Sequence, residues 1–279
     1  MANKLSNKIQ HECFISKQTP KAVYVLGLLW ADGYVSKTTN SINLQCLKDD
    51  IDYFYPIFQT TGQYNLYHKK QSLNNKISGT INCSSIHLHS FLKENGYLNK
   101  SISSHKTILS NINPNLHQYF LLGLSDGDGC FYINMKNHLF QWTITSTYEQ
   151  EWDGIESIFS KLNINYRINR VKTIKGGYSQ FQINGPKNIL KLGNYLYRSK
   201  MGLKRKRDKF EQIKSYIKEK SYKILCYDKQ HNIISKFDSL AEASSWIGKK
   251  RNVSSDIRDA CIGKQSTAFG YVWERVKFG

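Results

Sequence analysis

Val25-Leu26-Gly27-Leu28-Leu29-Trp30-Ala31-Asp32-Gly33 and, in the second part of the chain, Leu121-Leu122-Gly123-Leu124-Ser125-Asp126-Gly127-Asp128-Gly129 are two apolar runs that end in the same acidic turn. Each copy sets small residues four apart, Gly27 with Ala31 and Gly123 with Gly127, so they share one helix face along which two backbones can approach closely. The closing glycine suits a left-handed position just past a helix, which puts Asp32 and Asp128 at helix C-termini, where the macrodipole disfavours a carboxylate. If the two helices pack side by side, the like charges also meet, a repulsion relieved by a divalent cation or a shared proton. One such run is an ordinary buried helix stopped by a turn. Two in one chain, breaking the same local rule, mark a site.

The surrounding composition narrows the partner. In 279 residues Lys and Arg total 40 against 21 for Asp and Glu, a formal charge of +19, which makes nucleic acid the leading partner. No basic amphipathic helix presents bulky apolar residues to a membrane. The run from Ala22 to Trp30 is far shorter than the roughly 20 residues a span requires and lacks a small-residue cleavage site, so neither a membrane protein nor a signal peptide is expected. Six scattered cysteines, with no Cys-x-x-Cys pair and no zinc-finger histidine spacing, argue for reduced thiols in a soluble intracellular protein. His87 and His89, two apart in a helical segment, are expected at surface or cap positions.

Past Asp32-Gly33 the pattern predicts a hairpin over 34–38 and 41–47, a helix over 50–59, strands over 63–70 and 76–83, and a helix over 86–94. The same series returns after Asp128-Gly129. Phe131, Ile133 and Met135 alternate with Tyr132, Asn134 and Lys136, and Trp142 and Ile144 with Gln141, Thr143 and Thr145. A helix follows with Trp152, Ile155, Ile158, Phe159 and Leu162 at core spacing, then strands over 165–172 and 178–184 and a helix over 186–196 begun by proline. The reading is α+β: residues 1–20 form an N-terminal arm, 21–108 and 109–199 two αββαββα halves related by a pseudo-twofold, 200–221 a basic helix or linker and 222–279 a separate module. Residues 101–117 look like the connection between halves.

The doubled nonapeptide resembles the LAGLIDADG motif of the homing endonucleases. In the second copy the leucine, glycine and Asp-Gly-Asp-Gly positions all match; in the first, Trp30 stands where that family has its first aspartate. The later acid, matched by Asp32 and Asp128, is the one the family uses for catalysis. The resemblance implies a monomeric, pseudo-dimeric enzyme whose two antiparallel sheets enter the major groove of double-stranded DNA. It implies a double-strand break across the minor groove of a long asymmetric site. Asp32 and Asp128 would hold magnesium, or another divalent cation such as manganese, with the carbonyls of Ala31 and Gly127. A lysine after each half's last helix would assist; the matching stretches give Lys100 and Lys206, with Lys204 and Arg205 competing for the second role.

Alternation supplies the DNA-facing groups. One face of the strands is apolar, while the other presents Asn43, Gln45, Lys69, Tyr132, Asn134, Lys136, Gln141, Gln180 and Gln182, donors and acceptors able to read base edges. A polar outer face is also the default of any half-solvated sheet. Residues 200–223 carry ten Lys or Arg against three acids, a basic stretch suited to phosphates.

From Tyr222 the pattern changes to a hairpin, 222–228 with 233–237, and a capping box at Ser239-Leu240-Ala241-Glu242 opening a helix that Gly248 ends. A second helix over 254–262, after Lys249, Lys250 and Arg251, completes a helix-turn-helix pattern. The strings Phe237–Ala243, Val253–Ile257 and Phe269–Trp273 resemble the nuclease-associated modular domain appended to intron-encoded endonucleases. That implies DNA contacts from Ser254, Ser255 and Arg258, with Trp273 in the core. A maturase acting on intron RNA, or a non-catalytic DNA-binding regulator on the same scaffold, is the alternative.

Overall fold

The computed structural model of the chain describes residues 9–70, 76–174, 176–220, 222–249 and 253–277. They fall into two units, 1–210 and 211–279.

The first unit is built twice from one plan. A single turn, α1 (Glu12–Ile15), precedes α2 (Pro20–Asp32), β1 (Gly33–Val35), β2 (Ser41–Leu47), α3 (Lys48–Gln59), β3 (Asn65–Lys70), β4 (Ile77–Ser84) and α4 (Ile86–Glu94). Helix α5 (Lys106–Ser110) lies in the connection, and the plan repeats as α6 (His117–Gly127), β5 (Gly129–Asn134), β6 (Leu139–Thr147), α7 (Asp153–Lys161), β7 (Tyr166–Thr173), β8 (Gly176–Asn184) and α8 (Pro186–Tyr197). Each half folds its strands into an antiparallel sheet of matching order, β1-β2-β4-β3 and β5-β6-β8-β7. The expected pair of αββαββα halves is the observed architecture. Pro186 opens α8 as expected, and α2 starts with the Thr19 hydroxyl accepting the Ala22 N–H at 3.2 Å and Pro20 in the first turn.

Helices α2 and α6 are the spine. A Cβ on Gly27 would run into Phe120 O and lie 2.9 Å from Leu124 N; one on Gly123 would run into Tyr24 O and lie 2.7 Å from Leu28 N. The backbones are therefore in direct contact, as the small-residue spacing predicted. The sheets pack their apolar faces (Ile42, Leu44, Ile81 and Cys83; Phe131, Trp142, Ile144, Phe181 and Ile183) inward, all at most 3 % exposed.

Several expectations are corrected. Neither motif glycine is left-handed: Gly33 is extended (φ −73°, ψ 158°) and Gly129 does not have a positive φ. They are glycines because the chain folds back on its own helix end, where a Cβ would come within 2.5 Å of Leu29 O and 2.7 Å of Ser125 O respectively. Strand β5 stops at Asn134, whose side chain accepts the Asn137 N–H at 3.2 Å, so Lys136 lies in the hairpin turn and not on the strand. His89 is buried, its Nε2 2.8 Å from Ser36 O, while His87 stacks on His11. The arm is docked from residue 9 on, with Phe14 fully buried.

A further helix, α9 (Lys204–Lys220), starts in the first unit and ends in the second. The second unit contains β9 (Tyr222–Tyr227), β10 (Ile233–Phe237), α10 (Leu240–Ile247), α11 (Ser254–Cys261) and β11 (Val272–Lys277). The sequence pattern missed β11, which pairs antiparallel with β9 to complete a three-stranded sheet in the order β10-β9-β11. Ile224, Phe237, Ile257 and Trp273 fill its core. Ser239 caps α10 by accepting the Glu242 N–H at 3.1 Å, and the Glu242 carboxylate accepts the Asp238 N–H at 2.8 Å.

Candidate functional site

The side-by-side packing of α2 and α6 brings Asp32 and Asp128 to the same end of the helix pair. A Cβ on Gly127 would run into the Ala31 Cβ and stand 3.1 Å from Asp32 Oδ2, so the two helix ends are in contact beside the acids. Both residues are exposed at that end. Packing pushes Asp128 up to about 6, and the nearby Asp32 charge pushes it the same way; Lys100 and Lys206 oppose. Asp32 is raised by packing too, against the two lysines. The like-charge encounter expected from the motif is present.

Lys100 and Lys206 arrive from equivalent directions after the last helix of each half. Lys100 Nζ donates to Ala31 O at 2.7 Å, Gly33 O at 3.0 Å and Leu29 O at 3.2 Å. Lys206 Nζ donates to Ser125 O at 2.6 Å, Asp126 O and Gly129 O at 2.7 Å, and Gly127 O at 3.4 Å. Each ammonium thus neutralises the negative end of a motif helix at the point where that helix carries its acid. Burial lowers both lysines, Lys100 to about 8. The carbonyls of Ala31 and Gly127 face these ammonium groups.

The halves differ at the first acid of the motif. Asp126 is 2 % exposed; its Oδ2 accepts the Tyr24 hydroxyl at 2.7 Å and the Leu203 N–H at 2.8 Å. It fastens the first motif helix and the segment that delivers Lys206 to one carboxylate, a role the sequence did not suggest. Trp30 occupies the equivalent place in the first half and packs edge-on to Tyr97 and Phe120.

The sequence-assigned polar faces point away from the helices in cross-strand rows. In the first half these rows are Tyr34–Asn43–Asn82–Asn65, Gln45–Thr80–Tyr67 and Leu47–Ser78–Lys69. In the second they are Cys130–Thr143–Gln182–Arg167, Tyr132–Gln141–Asn184 and Thr145–Gln180–Asn169. Asn65, Tyr67, Asn82, Arg167 and Asn169 join the set; the alternation around them was visible, but their register with the central strands was not. A groove of ≈690 Å³ runs from Asp32 along Tyr34, Asn43, Gln45 and Thr80.

Other assigned residues are differently engaged. Arg205 clasps Asp50 with two bonds, 3.0 Å from Nε and 2.6 Å from Nη2, and Lys204 pairs with Asp208 at 2.5 Å. Ser254 Oγ donates to Leu240 O at 3.2 Å and ties α11 to α10. Ser255, Arg258 and Lys249 are exposed; Lys250 and Arg251 lie outside the described residues.

No family model matches the chain and no curated protein matches it. Among solved structures, the chain is similar to the LAGLIDADG homing endonuclease I-LtrWI bound to target DNA, at 16% identity over 70% of this chain and 89% of that one, with a TM-score of 0.45. It is similar to I-SmaMI bound to an uncleaved DNA target in the presence of calcium ions (14% identity, 71% and 90% covered, TM-score 0.43). It is also similar to full-length DUF199/WhiA from Thermatoga maritima (15% identity, 74% and 64% covered, TM-score 0.44). TM-scores below 0.5 at such identities do not weigh for or against a function. The chain's own residues must carry it.

Proposed function

We propose that the chain is a site-specific DNA endonuclease of LAGLIDADG type that makes a double-strand break with the help of a divalent cation. The observation that carries this reading is the convergence of Asp32 and Asp128 at one end of the helix pair, beside sheets whose outer rows are polar. One acid per half corresponds to one cut per strand.

The donor set fits a hard cation. Among the described residues no cluster of three or more His, Cys, Asp or Glu is arranged to hold a metal, but magnesium is commonly held by one or two carboxylates with water and substrate phosphate completing its shell. The groove that begins at Asp32 leaves that space beside it. The carbonyl oxygens of Ala31 and Gly127 keep a second lone pair beside the lysine bond and stay in the proposed ligand set on that ground. Bound there, magnesium or manganese supplies charge stabilisation at the phosphate and lowers the pKa of a coordinated water.

The chain's own groups do the rest. Lys100 and Lys206, their protons held by helix-end carbonyls, act by charge: they hold the acidic turns in place and keep the acids ionised against the repulsion between them. Asn43, Gln45, Gln141, Gln180, Gln182 and Arg167 read base edges. Lys69, Lys136 and Lys204 neutralise phosphates, as do Arg258 and Lys249 of the second unit. The test is to select bound and cut sequences from a randomised duplex library, with and without magnesium. Magnesium-dependent linear products with a defined site are expected; capture of DNA with no cutting under any divalent cation would overturn the enzymatic reading.

A second reading, a binder of DNA or intron RNA without nuclease activity, draws on the engagement of both motif carbonyls by lysine. The same library distinguishes it, because a binder enriches sequences and leaves them whole.

A further inference from the structure

The segments that carry Lys100 and Lys206 past the last helix of each half are both fastened to the opposite half. After α4, the chain from Lys100 to Lys106 runs against the junction of β6 and α7. The Glu151 N–H donates to Ile102 O at 2.9 Å, Gln150 Nε2 to Ser103 O at 2.7 Å, and the Thr147 hydroxyl to Ser101 O. A Cβ on Gly154 would stand 2.6 Å from Lys106 N, so the start of α7 touches the backbone of this segment. After α8, the chain from Gly202 to Lys206 runs against α3. The Tyr53 hydroxyl accepts the Gly202 N–H at 2.8 Å, and Asp50 accepts both bonds of the Arg205 fork, at 3.0 and 2.6 Å. The junctions of β2 with α3 and of β6 with α7 are equivalent places in the two halves, so the crossing occurs in both directions. Each segment also keeps ties to its own half, through the lysine itself and, at Leu203, through Asp126.

Arg205 and Lys206 are neighbours in the first turn of α9 and so point about 100° apart around the helix. With the guanidinium seated on Asp50, the rotation of the helix start is set, and Lys206 is turned toward the carbonyls at the end of α6. A planar fork on a carboxylate fixes direction as well as distance. As a partly exposed ion pair it adds little to stability, so its effect is one of aim. Asp50 is the more enclosed partner, its side chain 16 % exposed against 59 % for Arg205. In the other half the Gln150 amide is buried and held at both ends, because Oε1 accepts the Ser146 hydroxyl at 2.9 Å while Nε2 reaches Ser103 O.

We infer that Asp50 and Gln150 are positioning residues that act across the molecule: Asp50 of the first half sets Lys206 at the acidic turn of the second, and Gln150 of the second half sets Lys100 at the acidic turn of the first. Each acts through the lysine-bearing segment. Under the endonuclease reading, on which the consequence for cleavage rests, each strand cut depends on a residue of the half that does not supply its lysine.

The first arm of the test does not depend on cleavage. Acetylation of the full chain by an N-hydroxysuccinimide ester, read by mass spectrometry, reports which ammonium group has left its carbonyls. Asp50→Ala is expected to open Lys206 to the reagent, to leave Lys100 as protected as in wild type, and to keep the wild-type thermal midpoint. Gln150→Met, which keeps the side chain's length and deletes the amide, is expected to open Lys100 and leave Lys206 protected. Exposure of both lysines in Asp50→Ala, of neither, or of Lys100 alone overturns the inference, and that variant decides even if Gln150→Met does not fold. The second arm follows cleavage of duplexes labelled on each strand. Asp50→Ala is expected to slow about tenfold, a loss of about 1.4 kcal/mol, the same strand that Lys206→Met slows, with the other strand and DNA affinity unchanged. Asp50→Glu, which returns a carboxylate to Arg205, is expected to restore the rate. Slowing of the other strand, or of both equally, overturns the inference. If the wild-type chain cuts no DNA, the proposed function fails, and the acetylation pattern alone decides the crossed positioning.

Discussion

Asp126 illustrates what a single residue does here that a motif does not reveal. Its Oδ2 joins Tyr24 of one half to the Leu203 backbone ahead of Lys206. Tyr24→Phe removes one of these bonds from a buried carboxylate and is expected to cost about 1–3 kcal/mol, read as a lower urea midpoint. An unchanged midpoint would mean that the bond contributes nothing net. His105 carries a pH dependence of definite sign. Burial pushes it down to about 4, so the unfolded chain takes up a proton near pH 6.5 that the folded state refuses. Its contribution is complete above about pH 6.5 and is lost as the pH falls toward 4. Asp128, raised to about 6, works oppositely: its contribution is present below its unfolded value and is lost as pH rises through about 6. Urea titrations of wild type and His105→Phe isolate the first effect, with the wild type expected to lose more stability between about pH 6.5 and 4.5.

At the scale of elements, the helix pair depends on Gly27 and Gly123, where a methyl group would enter the facing backbone. Gly123→Ala is expected to destabilise by about 1–3 kcal/mol or more through forced separation of the helices; a thermal midpoint equal to wild type would contradict the packing. This contact was legible in the sequence because residues four apart define a helix face. The strands were legible from alternation, which assigned outer faces correctly. What alternation cannot supply is register or distant pairing, because partners such as Arg167 and Gln182, or β11 and β9, are joined only by the fold. Lys136 was misplaced for a related reason: the apolar rhythm runs on through Met135, but Asn134 turns the chain. The motif glycines were rightly singled out and wrongly explained, since the helix-end atoms they avoid are set by the return of the strand. If the outer rows read bases, Gln180→Ala is expected to relax preference at one base pair, at a cost of about 1–3 kcal/mol. A uniform loss across sequences would move Gln180 to backbone contact.

The whole molecule carries +19 of formal charge, and no described helix is long and apolar enough to cross a membrane. Binding to duplex DNA is expected to weaken steeply with salt, by roughly 10³–10⁵ between about 50 and 200 mM if six to ten phosphates are neutralised; a flat salt profile would contradict a phosphate-tracking surface. The doubled acidic turn, the matched halves and the lysine behind each half were all in the sequence. The clasp of Arg205 on Asp50 and the bolt at Asp126 arise only when residues far apart in the chain meet. The two acids are the test of the whole scheme. Strand-resolved cleavage of a selected target should be measured for wild type, Asp32→Asn and Asp128→Asn with magnesium, alongside DNA affinity in its absence. Each variant is expected to lose double-strand cutting while binding as tightly as wild type; an Asp128→Asn chain that cuts both strands at the wild-type rate would contradict the shared acidic centre.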